Sequence, residues 1–143
     1  MTAKEYLQQL RNFKTIIDLQ EKKRQRLLDT AKSIQFPVYG IKIRANRSTD
    51  QIPKLIAAAD DLEHKNLELR LKYALFQNEV INQIQMLDDP IEMQLLFGFY
   101  VEYKKLAVIA VEMGYTYQYV RLLHGQALQD FAEIHPILNP FDF

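Results

Sequence analysis

The stretch "IAVEMGYTYQYVRLLHGQAL", Ile109 to Leu128, decides how the rest of the chain is read. An apolar run at helical spacing reaches Met113, Gly114 interrupts it, and a second helical run follows Thr116. Gly114 can take the left-handed conformation that ends a helix. The Thr116 hydroxyl can cap the helix that follows. Two helices crossing through a short turn need a small residue where they touch and a glycine four positions later. Ala110 and Gly114 stand at that spacing. Ile109, Met113, Tyr115, Val120 and Leu123 occupy the flanking places where packing requires apolar groups, so Tyr115 is expected in the core. The spacing predicts a helix-turn-helix whose second helix runs from Tyr117 to about Ile134, stopping before His135-Pro136.

Upstream, "LDDPIE" reads as a helix start. Asp89 can cap, Pro90 suits the first helical position, and Glu92 completes a capping-box spacing. A helix is expected from Pro90, with Ile91, Leu95, Leu96, Phe99 and Tyr100 on one face. Another is expected over Lys104 to Met113, with Leu106, Ile109, Ala110 and Met113 turned inward. Gly125 falls inside the last helix, where it either lets the preceding helix approach closely or permits a kink. Residues 89–143 thus form a three-helix unit with a short C-terminal tail.

Residues 1–88 are expected to form a long antiparallel helical hairpin, or coiled coil, with a loop over about 35–50. Its first helix spans about Thr2 to Ser33, with an apolar stripe broken by Lys22-Lys23-Arg24. Pro37 and Gly40 end that helix, and a short strand or extended arm follows, with Lys42, Arg44 and Arg47 on the segment 42–47. The second helix runs from about Ser48 or Gln51 to Leu87. Ile52, Ala59, Asn66, Tyr73, Val80 and Leu87 recur at one heptad position, with Leu55, Leu62, Leu69, Phe76 and Gln83 three residues later. Asn66 at a core position is the type of residue that fixes register and oligomer state. The hairpin either closes on itself or pairs with a second copy, and a homodimer is the expected assembly. The fold class is all-α.

The segment Asp89 to Glu133, with "LLFGFYVEYKKLAVIAVEMGYTYQYVRLLHGQALQDF", resembles region 4 of the sigma-70 family of bacterial sigma factors. The whole chain is similar to small phage-encoded proteins that begin "MTAKEYL", continue as a coiled coil and end in a sigma-like tail. In layout these are akin to phage late transcription regulators of the RinA and ArpU kind. The resemblance implies a DNA-binding transcription regulator of a phage or prophage. Its major-groove helix would begin near Tyr117, and host RNA polymerase would be an expected partner. Where the family has an aromatic or polar residue with acidic neighbours before the "IA" pair, this chain has Leu106, Ala107 and Val108.

In a helix-turn-helix the exposed first half of the second helix enters the major groove. Thr116, Tyr117, Gln118, Arg121, Leu122 and His124 are therefore the candidate DNA contacts, with Lys42, Arg44 and Arg47 as phosphate contacts from the arm. Arginine pairs with guanine and glutamine with adenine. No acid occurs between Glu112 and Asp130. Charge is unevenly spread: Met1 to Asp50 holds eleven Lys and Arg against five Asp and Glu, while Asp89 to Phe143 holds three against seven. The basic third suits either nucleic acid or the acidic third.

The chain lacks cysteine, so disulfides, thiol catalysis and cysteine-bound zinc are excluded. His64, His124 and His135 lack metal-ligand spacing, and no phosphate-binding glycine loop occurs. Neither an enzyme nor a cofactor is expected. No apolar run approaches the ~20 residues of a membrane span, and the N-terminus has no apolar signal core. The host cytosol is the expected location. A competing expectation is a non-enzymatic adaptor that binds protein through the coiled coil and the apolar C-terminus "ILNPFDF".

Overall fold

The computed structural model describes residues 1–35 and 45–142, with side chains over 1–34 and 51–142. Lys42 and Arg44 lie outside the described residues, as does the side chain of Arg47. The described residues form an all-α fold: α1 (Ala3–Gln35), α2 (Ala45–Gln85), α3 (Pro90–Leu96), α4 (Leu106–Met113) and α5 (Tyr117–Ile134). A π-helical turn, Phe97–Val101, extends α3. No helix among the described residues is long and apolar enough to cross a membrane. The chain divides into two compact units, Thr15–Leu71 and Met1–Lys14 with Lys72–Phe143.

In the 15–71 unit, α1 and α2 run antiparallel. Glu21 meets Asn66 and Arg70, while Arg24, further along α1, meets Glu63, earlier on α2. The heptad supplies the buried side of α2, with Ile52, Ala59, Leu62 and Asn66 all buried. The helix begins earlier than expected, at Ala45, and so carries Pro53 in its interior. A proline there has no N–H for the helical ladder and costs one backbone hydrogen bond.

The other unit is built on Tyr6, Leu7, Leu10 and Phe13 of α1 against Phe76, Val80 and Ile84 of α2, all buried. Tyr6 lies edge-on to Phe76 at 5.7 Å and donates its hydroxyl to Gln83 Oε1 at 2.8 Å. α1 starts on a capping box. Thr2 Oγ1 accepts from Glu5 N–H at 3.1 Å, and Thr2 N–H donates to Glu5 Oε2 at 2.9 Å. Those bonds to Thr2 lower the Glu5 pKa.

α3 starts where the sequence places it. Asp89 Oδ1 accepts from Ile91 N–H at 2.9 Å, and Pro90 is the first helical residue. Glu92 does something else. It is only 4% exposed and hydrogen-bonds Asp130 of α5, whereas the capping-box spacing suggested a role at the helix start. The π-helical turn follows, with Glu102 N–H donating to Phe97 O at 3.1 Å. It places Gly98 against α4, where a Cβ would lie 3.3 Å from Ile109 Cδ1. Tyr103 then adopts φ 60, the left-handed region that non-glycine residues seldom take. Its hydroxyl shares a short hydrogen bond with Tyr73 and donates to Leu10 O at 3.3 Å.

Candidate nucleic-acid interface

The α4–α5 pair is set by backbone chemistry first. Gly114 has φ 73 and ψ 25, the left-handed cap that the sequence requires. Tyr115 N–H reaches back to Ala110 O at 2.9 Å, closing a Schellman turn. Thr116 is extended and its Oγ1 accepts from Tyr119 N–H at 3.2 Å, which caps α5.

Packing then fixes the crossing. Leu95, Ile109, Ala110 and Val120 form the buried centre, with Phe99, Leu106, Met113 and Leu123 against it. Ala110 sits where the helices meet, as its spacing from Gly114 predicts. Tyr115 corrects the sequence reading: it is exposed and lies edge-on to Tyr119 at 5.0 Å. The left-handed residue before it turns the chain outward, so the core does not receive its ring. Gly125 loses one of its two expected roles. A Cβ there would meet nothing within 4 Å, so no close helix approach depends on it. Gly98 has that role instead, a contact that a single-helix pattern gives no means of locating.

Gln118, Arg121 and Leu122 are exposed on the outer face of α5 and line one shallow depression. The Arg121 guanidinium lies 5.8 Å from the centroid of the Tyr117 ring, one turn earlier. That distance is within cation–π range. A second depression joins Tyr117 to Lys105, Phe99, Leu106 and Ala107. Lys105 did not figure among the sequence candidates. Its signal was modest: a lysine directly before an apolar helix, which puts it exposed at the start of α4. The adjacent Lys104 is committed to Glu112 at 3.1 Å and Glu102 at 3.6 Å. The hydrogen bond to Glu112 is the main reason its pKa is raised.

His124 turns inward, away from the outer residues grouped with it from sequence. Its Nε2 hydrogen-bonds the Tyr100 hydroxyl at 2.8 Å, and the two rings stack at 5.6 Å. Burial, then the positive charge of Lys4, lowers its pKa and favours the neutral ring. Burial pushes the Tyr100 hydroxyl up to about 12, so it keeps its proton.

Two further surfaces carry residues singled out in the sequence. Arg24 pairs with Glu21 at 2.9 Å, while exposed Lys22, Lys23 and Arg26 flank Leu19 and Leu27 along α1. The C-terminal tail folds onto its own unit. Phe141 stacks on Phe76 at 4.4 Å, and its N–H donates to Gln9 Oε1 at 3.1 Å. Ile137 remains 80% exposed.

No family model, curated protein or solved structure matches this chain.

Proposed function

We propose that this chain is a DNA-binding transcription regulator that reads the major groove with α5, of the phage or prophage late-gene kind its sequence resembles. The observation that carries the reading is the outer face of α5. Gln118, Arg121 and Leu122 project together from its first half, directly after the Gly114 turn and the Thr116 cap. Arginine and glutamine are the side chains that pair bidentately with guanine and adenine. Lys105 and Tyr117, which line a separate depression, would serve as phosphate contacts. The acidic balance of residues 89–143 opposes DNA, so affinity depends on cations elsewhere, including Lys42, Arg44 and Arg47. Two copies acting together would reinforce a weak single contact.

An electrophoretic shift across a salt series tests this. The parent protein binds duplex DNA at low salt, and Arg121→Ala weakens a specific site by about 1–3 kcal/mol. Gln118→Ala has an effect of the same order. Absence of any shift for the parent at low salt refutes the reading.

One observation favours a second reading, an adaptor that binds protein. Leu67, Leu71 and Leu75 of α2 are each more than half exposed, as is Val111 of α4. Host RNA polymerase is the expected partner. Partners retained from a nuclease-treated lysate favour this reading, whereas partners lost with the nucleic acid favour the first.

A further inference from the structure

Leu122 has no structural task in its own unit. It is 74% exposed, while α5 buries Val120, Ala127 and Phe131 on the opposite side. A single exposed leucine is ordinary on a protein surface. The setting of this one is not. Among the described residues, the depression it lines is shared with Gln118 and Arg121, and both are side chains suited to base edges. Leu122 stands one helical turn after Gln118 and directly after Arg121, so the three advance together along one face.

We propose that Leu122 is a specificity-determining residue that reads the 5-methyl group of a thymine, next to the base pairs addressed by Gln118 and Arg121. The proposal rests on α5 being the recognition helix. In the major groove, guanine presents acceptors, cytosine a donor, and adenine one of each. A leucine pressed against any of these desolvates a polar group and returns no hydrogen bond. Thymine alone offers an apolar group, its methyl, beside O4. Cytosine is further disfavoured because the acidic side chains that accept from its amino group are missing between Glu112 and Asp130. The Arg121 guanidinium lies over the Tyr117 ring, 5.8 Å from its centroid.

The test uses the full chain and a duplex site selected by that chain from random DNA. Each thymine of the site is replaced in turn by deoxyuridine, which differs only by the missing methyl group. At one position the parent should lose about fourfold in affinity, the worth of one buried methyl. Leu122→Ala should bind the thymine and deoxyuridine duplexes equally at that position, and circular dichroism should show its helix content unchanged. Indifference of the parent to deoxyuridine at every position overturns the proposal while leaving the recognition-helix reading intact. A deoxyuridine penalty that persists in Leu122→Ala also overturns it. If selection returns no bound DNA, the recognition-helix reading falls and the proposal with it.

Discussion

Between residues 15 and 71 the middle of the helix seam is polar. Glu21 Oε2 takes hydrogen bonds from Asn66 Nδ2 at 2.9 Å and Arg70 at 3.0 Å, and Arg24 holds the other carboxylate oxygen at 2.9 Å. The core of α3, α4 and α5 is closed instead by Leu95, Ile109, Ala110 and Val120. Polar contacts are directional, so the first seam defines which residues face each other. Apolar contact is not directional, so the second core leaves its crossing geometry to the turn and caps. The stability of one region therefore hangs on backbone conformation, and the register of the other on side-chain chemistry.

The largest effect is expected where the apolar core depends on its turn. Gly114→Val should destabilise the unit by about 1–3 kcal/mol, because a β-branched residue resists positive φ. Gly125→Ala is the matched control. Its Cβ meets nothing within 4 Å, so the change should stabilise α5 by up to ~1 kcal/mol through helix propensity. Thermal melts of the full chain distinguish the two. Equal melting temperatures would contradict the assignment of the turn.

The contrast between these glycines shows what the sequence makes legible. Gly114 was readable because its role is local: an apolar helix ends, a cap hydroxyl follows, and Ala110 lies four residues back. α5 and the cap of α3 were readable for the same reason, as were the heptad positions Ile52, Ala59, Leu62, Asn66, Phe76 and Val80 of α2, which are buried. What escaped depended on contacts between elements. Ile109 lies tightly against Gly98, and His124 turns inward because Tyr100 receives it. Glu92 is buried and faces Asp130 of α5. Tyr103 at φ 60 has no composition signal at all. For the candidate interface, Tyr117, Gln118, Arg121 and Leu122 were legible as the outer face of a periodic helix. Lys105 was not, because it shares a depression with Tyr117 through the fold and not along the chain.

A smaller effect of opposite sign is expected in the polar seam. Asn66 is 1% exposed, and its Oδ1 has no hydrogen-bond partner among the described residues. A buried acceptor left unsatisfied costs about 1–3 kcal/mol. Asn66→Leu removes that cost and should raise the melting temperature by an amount corresponding to ~1 kcal/mol. Glu21 keeps its two arginine partners in the variant. Register is what should be lost, since an apolar seam tolerates more than one alignment. Light-scattering mass and hydrogen exchange on α1 and α2 would reveal it as mixed assembly or reduced protection. A variant that melts lower, with unchanged mass, would show that the polar seam stabilises rather than specifies.

The smallest effect should appear at Glu92, a buried carboxyl between α3 and α5. Glu92 is raised to about 7, first by burial, then by the hydrogen bond with Asp130 and the charges of Asp130 and Asp89. Its ordinary value is 4.5, so the folded state holds a proton that the unfolded state releases. Stability from that proton is complete below 4.5 and is lost as pH rises through about 7. His124 acts in the opposite sense. Its pKa is lowered from 6.5, so acid below that value charges a ring the fold prefers neutral and destabilises the unit. The two groups separate by pH window. Lowering pH from about 8 towards 6.5 should raise the melting temperature through Glu92, before His124 begins to oppose it. Glu92→Gln keeps a donor for Asp130 without the charge. It should melt higher than the parent near pH 8 and lose the rise on acidification, while retaining the fall below 6.5 that belongs to His124. A parent whose melting temperature is flat from about pH 8 to 6.5 would show that Glu92 titrates normally and that the α3–α5 contact is held by apolar packing alone.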